Sequence, residues 1–193
     1  MQTKTLIKTI SILSLFNCLI GCYEPPYNNF EPYASIPSKK INYETHSFKS
    51  TQELIHKLNT MDIQYVQYGD TRTLILPTDR YFTYNSPTFN QFCYKIFPTL
   101  LDLLNREPHR TLYVAAFTDN VNTRFRQKKL TQARAETMIT YLWAHGIKAE
   151  QLSPEGYGEK YAIASNHTIH GSAQNRRLEI QWINDPNAAS CCK

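Results

Sequence analysis

Apolar residues recur along the chain in two spacings, and the switches between them divide it into elements. "STQELIHKLNTM" begins with a serine and a threonine suited to capping a helix, and Leu54, Leu58 and Met61 fall on one helical stripe. "DIQYVQYG" alternates as a strand, and "RTLILP" predicts a second one, joined to the first by a hairpin turn at Gly69-Asp70. A helical spacing follows from Pro87 to Asn105, with Pro98 expected to bend it or split it in two. "TLYVAAF" is a near-continuous apolar run, the pattern of a strand covered on both faces. Helical spacing returns from Arg126 to His145 and stops at Gly146, a good residue to end a helix. "LSPEGYG" predicts a short strand and turn, and "RRLEIQWI" a closing strand with alternating faces. The order β-α-β-α-β-β defines an α+β fold with helices packed on a mixed sheet.

The termini obey neither spacing. Lys4 and Lys8 precede a mostly apolar stretch from Ile10 to Ile20, too short for a stable membrane span, and "LIGC" follows at Leu19–Cys22. Residues 1–21 are expected to be an export signal. Residues 22–49, rich in proline, asparagine and serine, are expected to form a tether. Fully extended it would reach on the order of 80 Å, at ~3.1 Å per residue. Residues 50–184 suit one domain, and 185–193 form a tail. The chain carries 21 Lys and Arg against 16 Asp and Glu, a net charge of +5, and losing the two signal lysines lowers it to +3. So mild an excess is far from the basic stripe of a nucleic-acid binder. Of five cysteines, Cys18 would leave with the signal. Cys93, within a helical pattern, fits a small buried apolar residue. Cys191 and Cys192 are open to pairing with Cys93, with another chain, or with nothing.

One acid and one base stand where water is scarce. Asp119 directly follows the apolar strand, and Arg134 shares a helical stripe with Leu130, Met138 and Tyr141. A guanidinium on that side needs an acceptor, because burying it alone costs several kcal/mol. By pattern alone a structural ion pair between Arg134 and Asp119 is the simpler reading. The alternative is a site that divides a zwitterion, with Arg134 gripping a carboxylate and Asp119 an ammonium.

Several short segments, in order, resemble the OmpA-like family, which includes the Pal lipoproteins and the stator protein MotB. They run from "YFTYNS" through Thr118-Asp119 and "LTQARA" at Leu130–Ala135 to "HGI", "GYGE", "IASN", Gly171 and "NRRLEI" at Asn175–Ile180. The resemblance implies an OmpA-like domain with a noncatalytic site for the diaminopimelate side chain of the peptidoglycan stem peptide, whose end is a zwitterion. It puts the principal contacts on Asp119 and Arg134 and supporting ones on Thr118, Asn85, Leu130 and Arg176, with Tyr84 as a wall. "LIGC" resembles a bacterial lipobox, which implies cleavage before Cys22 and acylation of that cysteine. Tyr23, which is not acidic, then favours outer-membrane sorting, with the domain in the periplasm. The short layout also resembles the OmpA-like lipoprotein of Dot/Icm-type type IVB secretion systems. That narrower match implies a structural subunit of an outer-membrane complex, with other secretion-system lipoproteins as partners.

The chain departs from the family pattern in three ways. Asn122 stands where a glycine is usual, and asparagine tolerates the positive φ that a glycine there would serve. Gln127 replaces an asparagine and is one methylene longer, which puts a backbone-fixing or ligand-facing hydrogen bond in question. Ala116 and Phe117 make the approach to Thr118 more apolar. Elsewhere no G-x-S-x-G, H-E-x-x-H or glycine-rich phosphate loop occurs. His167 and His170 lack metal-ligand partners at a convincing spacing and fit a solvated loop. No enzyme activity, cofactor or metal is expected.

Overall fold

The computed structural model describes residues 50–107 and 111–185. The expected signal segment and tether, Cys22, Cys191 and Cys192 lie outside them. Helix α1 (Thr51–Thr60) is capped by Ser50, whose hydroxyl accepts from Glu53 N, and it buries Leu54 and Leu58 completely. Strands β1 (Gln64–Tyr68) and β2 (Thr71–Pro77) pair as the expected hairpin, with Tyr68 opposite Thr71 across the Gly69-Asp70 turn. A single helical turn, α2 (Thr78–Tyr81), follows β2 without a break, and the alternation did not announce it.

The expected helix from Pro87 begins only at Cys93, as α3 (Cys93–Arg106). Local side-chain hydrogen bonds hold the preceding residues in a loop instead. Ser86 Oγ and Thr88 bond each other, Asn90 Oδ1 accepts from Phe92 N, and Asn85 adopts a left-handed φ of 50°. Pro98 lies inside α3 and does not split it. The missing N–H forfeits one helical bond, while Ile96, Phe97, Leu100, Leu103 and Leu104 are all fully buried around it.

Strand β3 (Leu112–Phe117) is covered on one face along its length and on the other only at its end. Tyr113 is 51% exposed, whereas Phe117 is buried beneath Tyr157, with ring centroids 5.2 Å apart, and the Arg177 guanidinium 3.9 Å from its own centroid. Helix α4 (Arg124–Ala144) starts at a Thr123 cap and ends before Gly146, whose φ is 102°. Strand β4 (Leu152–Gly158), helix α5 (Ile169–Asn175) and strand β5 (Arg177–Ile183) complete the chain. Helix α5 occupies what the sequence suggested was a loop; Thr168 Oγ1 caps it by accepting from Gly171 N.

The five strands form one sheet in the order β1-β2-β5-β3-β4. Strand β5 runs antiparallel to both neighbours, β2 and β3, and β3 pairs parallel with β4. Its first residue therefore lies between the last residues of β2 and β3, as Pro77 opposite Arg177 and Ala116 opposite Leu178 show. The core between sheet and helices holds Trp182, Tyr81, Phe97 and the buried leucines. The arrangement is the α+β fold with a mixed sheet that the periodicities predicted.

Candidate functional site

Both β2 and β3 run directly into a Thr-Asp pair: Thr78-Asp79 after "LILP" and Thr118-Asp119 after "VAAF". Because β5 starts between those strand ends, the residue just before it, Arg176, lies between the two acids. Its guanidinium engages both. Nε stands 2.9 Å from each Asp79 oxygen, Nη2 donates to Asp79 Oδ2 at 2.6 Å, and Nη1 donates to Asp119 Oδ2 at 2.6 Å. The hydrogen bond to Asp79, above all, raises the Arg176 pKa; partial burial opposes this and the bond to Asp119 adds to it.

Asp119 is 5% exposed. Its Oδ1 accepts from Val121 N at 3.2 Å and so shapes the turn after β3. The turn is aimed by a register shift between Ala116 and Phe117, which sit opposite Gly156 and Gly158 so that Tyr157 is skipped. Thr118, 7% exposed, donates its N–H to Gly158 O, and Gly158 N donates to Thr131 Oγ1 on α4. Helix α4 lies close against β4 at this point. A Cβ on Gly156 would fall 2.1 Å from Gln132 N, so the position admits no side chain.

Arg134 faces inward from α4, as its stripe predicted, and is 4% exposed. Its acceptors are neutral: Nε donates to Ser86 O at 3.1 Å and Nη1 to Thr78 Oγ1 at 3.2 Å, with the guanidinium 5.3 Å from the centroid of the Phe82 ring. Desolvation pulls its pKa down to about 10, against the opposing fields of Asp79 and Asp119 and with the help of Arg176. Among the described residues no carboxylate is within salt-bridge distance of Arg134. The simple Asp119–Arg134 ion pair is thus not formed; the partner of Asp119 is Arg176.

Thr78 ties the array together. Its hydroxyl accepts from Arg134 Nη1 and donates to Arg176 O at 3.1 Å, while its backbone N–H donates to the same carbonyl at 2.9 Å. The structure therefore brings Asp119, Arg134 and Arg176 to one place, with Thr118 adjacent along the chain. Asn85 is exposed, and the carbonyl that receives Arg134 belongs to its neighbour Ser86. Leu130 is half-buried one helical turn before Arg134. Tyr84, expected as a wall, is 92% exposed at the tip of its loop. Sequence reasoning missed Thr78 and Asp79, although the repeated Thr-Asp ending of two strands was a signal for them.

The departures from the family pattern also find their places. Asn122 has a φ of 80°, the left-handed conformation a glycine would serve. Gln127 is buried, and its Nε2 donates to Val121 O at 3.1 Å and Asn122 O at 3.2 Å. The longer amide thus fixes the backbone of the turn that carries Asp119. Among the described residues no group of three or more potential metal ligands gathers, and no helix is long and apolar enough to cross a membrane.

Helices packed on a five-stranded mixed sheet match the architecture of OmpA-like domains. Residues 81–176 match the family model described as the OmpA family, and the chain carries an OmpA-family domain. Among curated proteins it is 28% identical over 128 residues to the probable lipoprotein YiaD of Escherichia coli, covering 66% of this chain and 58% of that one. It is 37% identical over 73 residues to outer membrane protein A of Bordetella avium, covering 38% of each chain. It is 33% identical over 87 residues to the peptidoglycan-binding protein ArfA of Mycobacterium bovis, covering 45% of this chain and 27% of that one. The chain thus spans between about a quarter and three-fifths of the length of these relatives. Among solved structures, the periplasmic domain of Helicobacter pylori MotB superposes with a TM-score of 0.56 at 28% identity, over 66% of this chain and 82% of that one. The cell wall anchor of the type VI secretion system from Pseudomonas aeruginosa shares the fold, with a TM-score of 0.63 at 21% identity, over 70% and 98%.

Proposed function

We propose that this protein binds peptidoglycan noncovalently, holding the zwitterionic end of the diaminopimelate side chain between Asp119 and Arg134. The observation that carries the reading is a buried guanidinium with neutral acceptors only, next to a buried carboxylate held by a different arginine. Two opposite charges fixed nearby and not bonded to each other complement a group bearing an ammonium and a carboxylate on one carbon. A relative named for peptidoglycan binding supports the assignment. Thr118, Asn85, Leu130 and Arg176 are the supporting contacts. The protein makes and breaks no bond; many weak contacts on one polymer add through effective concentration.

The test is sedimentation of the full chain, in detergent, with purified sacculi. Wild type should pellet. Asp119→Asn and Arg134→Gln should each stay in the supernatant with unchanged circular dichroism, and muropeptide release should be nil. Pelleting by both variants at the wild-type level would refute the site. We further infer that Cys22 is acylated and holds the domain at the outer membrane from the periplasmic side. Labelled fatty acid should enter the wild-type chain and not Cys22→Ser.

A second role, as a subunit of an envelope assembly of the type IVB secretion class, is favoured by α1 and β1. Both lie before residue 81, outside the family match, and they leave Val66 and Tyr68 exposed on an edge strand. Stable co-purification of other lipoproteins from solubilised envelopes would support it, and recovery of the chain alone would not.

A further inference from the structure

We propose that Asp79 sets the ligand selectivity of this site. By occupying one side of Arg176 it leaves Asp119 able to receive an ammonium, so that an α-amino-carboxylate end is taken in preference to a plain carboxylate. The proposal rests on the zwitterion reading above and adds Asp79 to it.

The geometry of Arg176 carries the argument. A guanidinium offers five N–H donors in a fixed fork. Asp79 takes the Nε and Nη2 side with three short contacts, and Nη1 alone reaches Asp119. A carboxylate has about four lone-pair sites. Asp119 uses one for Arg176 and one for Val121 N, which leaves capacity for a ligand ammonium. Counting formal charges, Asp79 and Asp119 balance Arg134 and Arg176, and a neutral array suits a net-neutral ligand end. Asp79 is also the carboxylate whose field acts most strongly on Arg134, so it belongs to this array and is no remote surface charge.

Removing only its charge changes both features. The fork of Arg176 becomes free to turn two prongs onto Asp119, the favoured arrangement for an arginine and a carboxylate. The array then carries one excess positive charge. The ammonium loses its acceptor, while a carboxylate next to Arg134 gains attraction. Selectivity should shift, not merely affinity. The Asp79 side chain is 49% exposed and that of Arg176 25%, so solvent screens the effect to a change of about five- to tenfold.

The experiment is calorimetric titration of the full chain in detergent with free meso-diaminopimelate and with pimelate, the same diacid lacking both amines. Wild type should prefer diaminopimelate. Asp79→Asn should lower that preference about five- to tenfold with pimelate binding held or improved. Asp79→Glu, which keeps the charge and lengthens the arm, should restore the preference. Equal weakening of both ligands in Asp79→Asn would make Asp79 a structural clamp and overturn the proposal, as would an unchanged preference. A wild-type protein that fails to prefer diaminopimelate would instead overturn the parent reading, and it would do so before any variant is compared.

Discussion

Thr78→Val isolates one hydroxyl in an otherwise unchanged shape. Thr78 is fully buried, and its Oγ1 stands between two arginines, accepting from Arg134 Nη1 and donating to Arg176 O. The carbonyl of Arg176 would not be orphaned, because it keeps the backbone N–H of Thr78 at 2.9 Å. Arg134 has no such reserve. It would lose one of two neutral acceptors in a place where burial already disfavours its charge. An unsatisfied buried donor on a charged group costs about 2–3 kcal/mol. The added methyl returns about 0.8 kcal/mol at most. The net loss should be about 2 kcal/mol, which for a domain of this size lowers Tm by roughly 6–10 °C. Urea unfolding followed by circular dichroism should show a lower midpoint with an unchanged slope. The decisive measurement is the double-mutant cycle with Arg134→Met. Once the guanidinium is gone, Thr78→Val should cost little, giving a coupling of about 1–2 kcal/mol. Additive losses, or a single variant within about 0.5 kcal/mol of wild type, would show that Thr78 does not support Arg134.

Two further predictions concern the core. Cys93 is buried, its thiol donates to Tyr81 O, and burial raises its pKa from 9.0 to about 12. The unfolded thiol ionises first, so stability is fully present below pH 9 and is lost as the pH rises toward 12, at up to about 1.4 kcal/mol per pH unit. Cys93→Ala should flatten the decline between pH 9 and 10, before Tyr81, raised to about 12 from 10.0, adds its own. An equally steep decline in the variant would assign it to other groups. Gly156→Ala places a methyl group 2.1 Å from the α4 backbone and should push α4 off β4, costing about 3 kcal/mol or more. A melting temperature within 2 °C of wild type, about 0.5 kcal/mol, would show that the close approach is dispensable.

How much of this was legible beforehand varies with the range of the interaction. Strand β2, the hairpin turn and the inward face of α4 follow from local alternation and local turn residues, and each appears where its pattern put it. Helix α3 starts later than its spacing predicts because Ser86, Thr88 and Asn90 offer the backbone hydrogen bonds that compete with helix. Gln127 departs from the family pattern, and only the folded turn shows its amide bonded to the carbonyls of Val121 and Asn122.

The sequence by itself determined that Asp119 and Arg134 would be drawn out of water, since periodicity sets which way a side chain faces. It also settled the family, through short motifs in a fixed order. It did not choose the partner of the acid. Arg176 stands 57 positions from Asp119 and 97 from Asp79. What joins them is the insertion of β5, antiparallel, between β2 and β3, so that one strand begins where two others end. Strand order and register come from long-range packing of the whole core, and local periodicity carries no record of them. The charges were therefore visible along the chain, and only the sheet decided which of them meet.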